Sequence, residues 1–364
     1  MKVAIIHYWW LTNRGGEAVI QQLIKIYPNA DLFLHVCDDE LVRKTLGPDF
    51  SGDIKTTFID KLPKSRSWYQ RYLPLMPLAL EQLELSDYDL VISNESGPTK
   101  GVIVSPEAVH ICYCLSPMRY LWDMRSEYLE RLGWFSRAVL RITSHYLRIW
   151  DVSTAPRVDE FLVISRFVGE RVKKYYNRES HILYPPCNVE DFDNTKERGD
   201  FYLYLGQLVA YKRADLIIEA FGQLDRPVVV IGEGELFEEL RAEKSANIEL
   251  LGRQDFSSVK IHLEKCRALI FPGTEDFGIV PIEAAAAGAP VIAYNRGGAR
   301  DTVIDGVTGV FFEEQTSQSL IEAVLKFEAL EPRFDRPVML EHAEKFSADR
   351  FRSEFSEFIQ AKMK

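Results

Sequence analysis

Short apolar runs alternate along this chain with longer stretches whose apolar positions recur every three or four residues, the rhythm of buried strands followed by amphipathic helices. A first strand is expected from Lys2 to His7. After a loop ending Arg14-Gly15-Gly16-Glu17, the set Val19, Ile20, Leu23, Ile24 and Tyr27 keeps helical spacing. Further strands are expected at Asp31 to Val36, Asp89 to Ser93, Val109 to Cys114, Phe161 to Ser165 and His181 to Tyr184. A polar stretch, Asn188 to Asp200, then breaks the pattern and reads as an interdomain linker. Beyond it the rhythm restarts, with strands at Phe201 to Leu205, Val228 to Ile231, Ile248 to Leu251, Ala268 to Phe271 and Val291 to Tyr294. Helices are expected between them, from Ala214, from Leu236, around Val259 and through Ile282 to Ala287.

This alternation implies an α/β fold of two doubly wound, Rossmann-like domains, residues 1–187 and 188–347, facing one another across a cleft. The last helix, in 348–364, has Phe351, Phe355, Phe358 and Ile359 on one stripe and is expected to pack back on the first domain. In such sheets ligands sit beyond the carboxyl ends of the strands, so the loops there are where chemistry is sought.

Composition narrows the picture. With 364 residues, 46% hydrophobic and 27% charged, the chain is globular and long enough for two cores. No run reaches the roughly 18 apolar residues of a membrane span, and Met1-Lys2 leads straight into Val3 without a signal-peptide pattern, so a cytoplasmic protein is expected. Five cysteines at scattered spacings encode neither a disulfide framework nor a zinc site, and Cys112 and Cys114 read as buried small side chains. A net charge of -10 argues against nucleic acid as a partner. That charge is uneven: residues 1–180 hold 23 Lys+Arg against 22 Asp+Glu, so nearly all the acidity lies in the C-terminal half.

Four strand-end segments carry candidate chemistry. In Phe271-Pro272-Gly273-Thr274-Glu275-Asp276-Phe277-Gly278-Ile279-Val280-Pro281-Ile282-Glu283, the loop enters a helix whose Pro281 suits the first turn. The amides of Phe277, Gly278, Ile279 and Val280 then form an anion and hydroxyl receptor flanked by Glu275 and Glu283. Read blandly, Glu283 in the first turn complements the helix dipole and Glu275 is a solvated loop residue. A glycosidase pair is unsupported, because eight helical residues span roughly 12 Å and the loop hides the true separation.

In Gly206-Gln207-Leu208-Val209-Ala210-Tyr211-Lys212-Arg213, two cations precede a helix whose positive dipole end repels them, which suits an anion such as a departing diphosphate. The bland alternative is a solvated pair. Gly15-Gly16 brings backbone amides close to a phosphate or marks an ordinary turn. Gly232-Glu233-Gly234 lacks the third glycine of a nicotinamide fingerprint, and the loop after His7 lacks the fingerprint altogether; Gly232 reads as a tight turn.

Together, Gly15-Gly16, Gly206 with Lys212-Arg213, Gly232-Glu233-Gly234, and Glu275 eight positions before Glu283 resemble family 4 of the retaining glycosyltransferases, which have the GT-B fold. The likeness runs over nearly the whole chain. It is strongest to the bacterial polysaccharide branch, through Tyr113-Cys114-Leu115-Ser116-Pro117-Met118-Arg119-Tyr120 and Glu275-Asp276-Phe277-Gly278. The resemblance implies transfer of a hexose from a nucleotide diphosphate sugar, a UDP-hexose such as UDP-glucose or GDP-mannose, to a polysaccharide or lipid-linked glycan. The nucleotide would bind the C-terminal domain and the acceptor the N-terminal one. It implies that Glu283 holds the ribose hydroxyls, that Glu275 and the backbone of 277–280 hold the sugar and diphosphate, and that Lys212, helped by Arg213, neutralises the leaving group. Gly16 would approach the same phosphates, and the backbone around Gly252-Arg253 would face the base. No cofactor or metal is expected, since no Asp-x-Asp motif stands at a suitable strand end.

Two positions depart from the family. Gln207 stands where an arginine is usual, and Leu115 where a histidine is usual. In that family the departing phosphate is thought to take the acceptor proton, so no protein base is needed at 115. Glu95 and His7 are further acceptor-side candidates, read equally as a loop residue bonding local backbone and a packed strand histidine. Residues 61–80 and 131–150 are basic and aromatic without any acid, which suits an anionic membrane headgroup zone at the inner face of the cell membrane, or aromatic packing with outward arginines. A non-catalytic nucleotide-sugar or glycan-binding protein at a membrane surface is the rival reading.

Overall fold

A computed structural model describes residues 1–13, 15–126 and 133–363. Arg14 and Arg131, which figure in the sequence reading, lie outside them, as does the side chain of Phe135. The chain divides into two units, Met1–Pro185 with Phe351–Lys364, and Pro186–Arg350.

The first unit is a seven-stranded sheet in the order β3-β2-β1-β4-β5-β6-β7. Its strands are β1 Val3–Trp10, β2 Asp31–Cys37, β3 Ile54–Thr56, β4 Leu90–Glu95, β5 Val109–Cys114, β6 Glu160–Val163 and β7 His181–Ile182, and every pairing is parallel. The second unit is a six-stranded parallel sheet, β10-β9-β8-β11-β12-β13. It comprises β8 Tyr202–Leu205, β9 Val228–Ile231, β10 Ile248–Gly252, β11 Ala268–Phe271, β12 Val291–Tyr294 and β13 Gly309–Phe312.

Parallel strands are joined by helical crossovers that cover both faces, so both faces must be apolar. In the second unit, alternate residues divide cleanly between two cores. Tyr202, Tyr204, Val228, Val230, Ala268, Ile270 and Ile292 face one, and Leu203, Val229, Ile231, Leu269, Phe271, Val291 and Ala293 the other. In the first unit the helix Phe351–Lys362 portion of Ala348–Lys362 buries Phe351, Phe355 and Ile359, with Phe351 edge-on to Tyr113 at 5.6 Å. Each such side chain contributes about 1.5–3 kcal/mol of apolar burial.

Three details differ from expectation. The first strand continues through Tyr8, Trp9 and Trp10, all on a largely buried strand, so His7 is interior to it rather than at its end. Strands β3 and β13 had no clear sequence signal; β3 is a three-residue edge, and β13 starts at a glycine. Asn188–Asp200 is not a free linker. Arg198 donates to the carbonyls of Leu263, Glu264 and Cys266 at 2.9–3.1 Å, and Arg336 donates to those of Asn194 and Lys196, which ties the polar segment into the second unit. All five cysteines are free and buried, and burial pushes the Cys37 thiol up to about 11 and that of Cys266 to about 12.

Two buried histidines make the first unit acid-sensitive. His35, held by Thr57 and the Pro98 carbonyl, and His110, held by Ser93 and the Arg157 carbonyl, are both pushed by burial from 6.5 to about 4. Between those values the unfolded chain binds more protons, so stability is lost as pH falls from 6.5, at about 1.4 kcal/mol per pH unit for each histidine. Glu95, pushed up by burial, opposes one of them. In the second unit His342 is lowered by burial while Glu283 is raised to about 7, and the two oppose each other. All 6 tryptophans lie in the first unit, so their fluorescence follows it alone. Its denaturation midpoint is expected to fall steadily from pH 6.5 to pH 5, and a flat profile would show that these histidines are not buried neutral.

Candidate functional site

The strand order of the second unit places β8 between β9 and β11, so the chain leaves β8 and β11 toward opposite faces and their loops part to leave a crevice. Lys212 comes from the loop after β8 and Glu275 from the loop after β11. Lys212 Nζ lies 2.8 Å from Glu275 Oε1, with the side chains 16% and 23% exposed. The approach depends on Gly273: a Cβ there would stand 2.9 Å from Lys212 Cα and 3.1 Å from Lys212 O. Gln315 Nε2 donates to Pro272 O at 2.8 Å, and Gly298 N to Glu275 O at 2.8 Å, fixing the loop on both flanks.

Arg213 does not join Lys212. Its backbone is left-handed, φ 56°, a conformation costing a non-glycine residue on the order of 1 kcal/mol. Its guanidinium grips Asp215 at 2.9–3.1 Å. The pair of cations read from the sequence is therefore split, one facing Glu275 and the other neutralised by the acid in the first turn of the Ala214–Gln223 helix.

Gly278, φ 87°, turns the chain into the helix Ile279–Ala286. The amides of Ile279 and Val280 precede the first intrahelical bond, and Pro281 has no amide to satisfy. Phe277 is buried and lies tilted against Phe346, ring centroids 5.7 Å apart, so its side chain serves packing. Glu283 is one turn further in than expected, at the fifth helical position rather than in the first turn. Burial pushes its carboxyl up to about 7, with Asp191 adding to the shift. Its side chain forms no hydrogen bond or ion pair among the described residues. A helix-dipole role does not account for a desolvated acid at that depth.

The remaining residues of this unit line the same strand ends. A Cβ on Gly232, φ 155°, would stand 1.8 Å from Gly206 O, while Gly206 N donates to Ile231 O at 3.1 Å and Gly232 N to Gly252 O at 2.9 Å. These glycines let backbones cross. Gln207 is exposed and offers its carbonyl to Tyr204 Oη at 3.1 Å; Arg253 is exposed just after β10.

In the first unit the corresponding switch lies between β1 and β4. A Cβ on Gly16 would meet Tyr8 Oη at 2.6 Å, Leu115 Cδ1 at 3.1 Å and His7 Cε1 at 3.4 Å, so Gly16, Leu115 and His7 are brought together, with Gly15 opening the Gly15–Ile26 helix beside them. Asn94 Nδ2 approaches His7 Nδ1 and Gly16 O, both at 3.1 Å, and His7 Nε2 faces Glu17 Oε1 at 3.4 Å. Glu95 is the exception. It is the last residue of β4, not a loop residue, and its carboxylate turns inward. It accepts from Lys100 Nζ and Lys100 N at 2.9 Å each, in a fully buried set with Asp151 and Tyr176. Glu95 cannot touch a ligand there.

Sequence reading missed Asn94, Tyr8, Lys100 and Arg171. Arg171 holds the loop after β5 through Ser116 Oγ at 2.9 Å and Pro117 O at 3.2 Å. No spacing marks Asn94 or Arg171, since their partners lie 87 and 55 residues away, at His7 and Ser116. The Gly297-Gly298 pair after β12 was detectable by the signal that marked Gly15-Gly16.

Residues 188–347 match the model of glycosyl transferases group 1. An uncharacterized glycosyltransferase of Methanocaldococcus jannaschii is 30% identical over 173 residues, 46% of this chain and 49% of that one, so the chain spans about half the length of that relative. The alpha-1,3/1,6-mannosyltransferase of Mus musculus is 26% identical over 82% of each chain. Among solved structures, Anabaena HepE in complex with UDP superposes with a TM-score of 0.71 over 99% of this chain and 100% of that one, at 14% identity, a likeness of fold. The two units are those of the GT-B fold, and residues 188–347 are similar to glycosyl transferases group 1.

Proposed function

We propose that this protein is a retaining, metal-independent glycosyltransferase that moves a hexose from a UDP-hexose such as UDP-glucose, or from GDP-mannose, to a polysaccharide or lipid-linked glycan in the cytoplasm. The observation that carries the reading is the Lys212–Glu275 pair, 2.8 Å apart at the two strand ends flanking the switch point, with Glu275 on the loop that leads into the helix starting at Ile279 and Val280. Such a pair is a site waiting for a ligand with both an anion and hydroxyls. The diphosphate takes the ammonium, and the hexose hydroxyls take the carboxylate.

In the reaction the bond from the anomeric carbon to the phosphate oxygen breaks, and the acceptor oxygen bonds that carbon on the same face. The acceptor proton passes to the departing phosphate. Negative charge grows on the diphosphate, and Lys212 with the Ile279 and Val280 amides meets it without reorganisation. Arg213, tied to Asp215, fixes the turn that presents Lys212. Glu283 accepts the two ribose hydroxyls; an unpartnered carboxylate in a desolvated place gains most from such donors. HepE is described in complexes with UDP and with UDP-glucose, and the curated relatives include mannosyltransferases, which supports a nucleotide diphosphate hexose as donor.

Four outcomes are expected. UDP or GDP, titrated against thermal unfolding, raises the melting temperature, with about 2.7 kcal/mol gained at a hundredfold excess over Kd. That affinity weakens as pH falls through about 7, where Glu283 protonates, by up to about tenfold per pH unit, and Glu283→Gln removes the pH dependence. Glu275→Gln and Lys212→Ala each lower kcat by about a hundredfold or more in a radiolabelled transfer assay, with nucleotide affinity changed less for Glu275→Gln. Turnover persists in EDTA; activity lost to chelation and regained with manganese would contradict the metal-independent reading.

A further inference from the structure

The helix Trp134–Thr154 turns Ser144, Leu147, Trp150 and Asp151 inward. Its opposite face exposes Ile142 (74%), Tyr146 (52%), Ile149 (59%) and Val152 (41%) at helical spacing, after Trp134 at 84%. Large apolar side chains scattered singly over a surface need no explanation, but a continuous exposed stripe does. Leu78 (51%) and Ile103 (54%) are exposed on segments that meet the inward face of the same helix through Trp150. Trp150 Nε1 donates to Glu81 at 3.3 Å, and a Cβ on Gly101 would strike its ring.

Within residues 131–150, which carry most of this stripe, the charge has one sign. Residues 131–150 contain no Asp or Glu, and Arg141 is exposed with no carboxylate partner among the described residues. Arg148 donates to Leu121 O at 3.2 Å. Arg125 lies close enough to disfavour the Arg148 charge, second to the effect of burial, and the Arg125 Nε is buried without a partner among the described residues. The nearby described acids are engaged elsewhere, Asp123 with Arg171 and Asp151 with Lys100. Glu127 and Glu130 lie outside the described residues. Like charges that disfavour one another gain from an anion placed beside them.

The second basic-aromatic stretch behaves differently. Its Trp68 is covered by Lys64 at 4.7 Å and Arg71 at 4.6 Å, and Tyr69 and Tyr72 pack on a buried cluster, so its aromatic residues are spent on packing. Among the described residues no helix is long and apolar enough to cross a membrane, so a lipid-facing helix would lie on the surface.

We propose that the outer face of the Trp134–Thr154 helix docks on an anionic phospholipid membrane, with Ile142, Tyr146 and Ile149 entering the headgroup–acyl boundary and Arg125, Arg141 and Arg148 receiving lipid phosphates. The apolar stripe supplies the insertion and the arginines the choice of lipid; neither depends on the transfer reaction.

The test is co-sedimentation of the full chain with sucrose-loaded vesicles of phosphatidylglycerol and phosphatidylcholine, against vesicles of phosphatidylcholine alone. Binding is expected to the mixed vesicles and to weaken with salt. Arg141→Ala lowers the partition constant about fivefold, and Ile142→Ser with Ile149→Ser lowers it about tenfold or more. Both substitutions lie on exposed positions, and unchanged circular dichroism confirms the fold. Failure to bind mixed vesicles, or binding indifferent to both variants, overturns the proposal. So does a dimer in sedimentation velocity that dissociates with Ile142→Ser, because the stripe would then be covered by a second copy. None of these readings requires nucleotide or turnover, so they stand or fall apart from the proposed activity.

Discussion

Two backbones must pass within van der Waals contact for Lys212 to reach Glu275. The loops after β8 and β11 belong to strands that are neighbours in the sheet but are separated in sequence by two intervening strands. Their chains diverge because one crossover goes to each face of the sheet, and a crevice opens there whatever the side chains are. Gly273 lets the second loop fold back against the Tyr211–Lys212 backbone, and Gln315 and Gly298 clamp it there. A side chain at 273 would push Glu275 away from Lys212, and the proposed anion-and-hydroxyl site would be lost with the fold intact. The position of the chemistry thus follows from topology, and its tightness from one missing Cβ.

The first unit solves a harder electrostatic problem. Lys100, Glu95 and Asp151 have no solvent exposure at all, which costs several kcal/mol of desolvation per charge. The ammonium sits between the two carboxylates, Tyr176 Oη reaches both acids, and Trp122 Nε1 donates to Asp151 at 2.8 Å. Deleting one member would strand a buried charge, a loss of about 3–5 kcal/mol. What the arrangement offers in return is position. The Glu95 carbonyl accepts from Leu115 N at 2.8 Å and Ser116 N at 3.2 Å, so the buried ions hold the strand end from which the Leu115 loop leaves.

Most of the fold was legible because burial on both faces forces long apolar runs, and those runs are visible without knowing their neighbours. The strands from Val109 to Cys114, Val228 to Ile231, Ala268 to Phe271 and Val291 to Tyr294 begin and end where the apolar pattern does. Edges were not legible: β3 is half-buried throughout and carries no pattern to detect. Of the site, the loop residues near Lys212 and Glu275 could be found, because glycine, proline and charge at strand ends are local signals. Their pairing could not, since it depends on strand order. Glu95 misled for a related reason. A carboxylate at a strand end looks like a site until Lys100 and Asp151, five and 56 positions further on, are seen to enclose it. Asn188–Asp200 misled because polarity was read as solvation, when Arg198 uses it to satisfy helix-end carbonyls.

The two departures from the family pattern bear on the chemistry differently. A leucine at 115 removes an imidazole, and His7 is the nearest candidate to replace it, since both side chains border the place a Cβ on Gly16 would occupy. Yet His7 is 1% exposed, with one ring nitrogen engaged by Asn94 and the other by Glu17. A ring held at both nitrogens takes no proton from a substrate without first breaking a buried contact. His7 therefore offers no ready base at this position, and in the proposed reaction the leaving phosphate would itself accept the proton. Gln207 removes a cation, and Arg213 does not replace it while Asp215 holds it. In the proposed reaction more of the developing charge would then fall on Lys212 and on the amides at the start of Ile279–Ala286. In the structure Glu275 holds the Lys212 ammonium at 2.8 Å, and the proposed diphosphate would have to take that carboxylate's place.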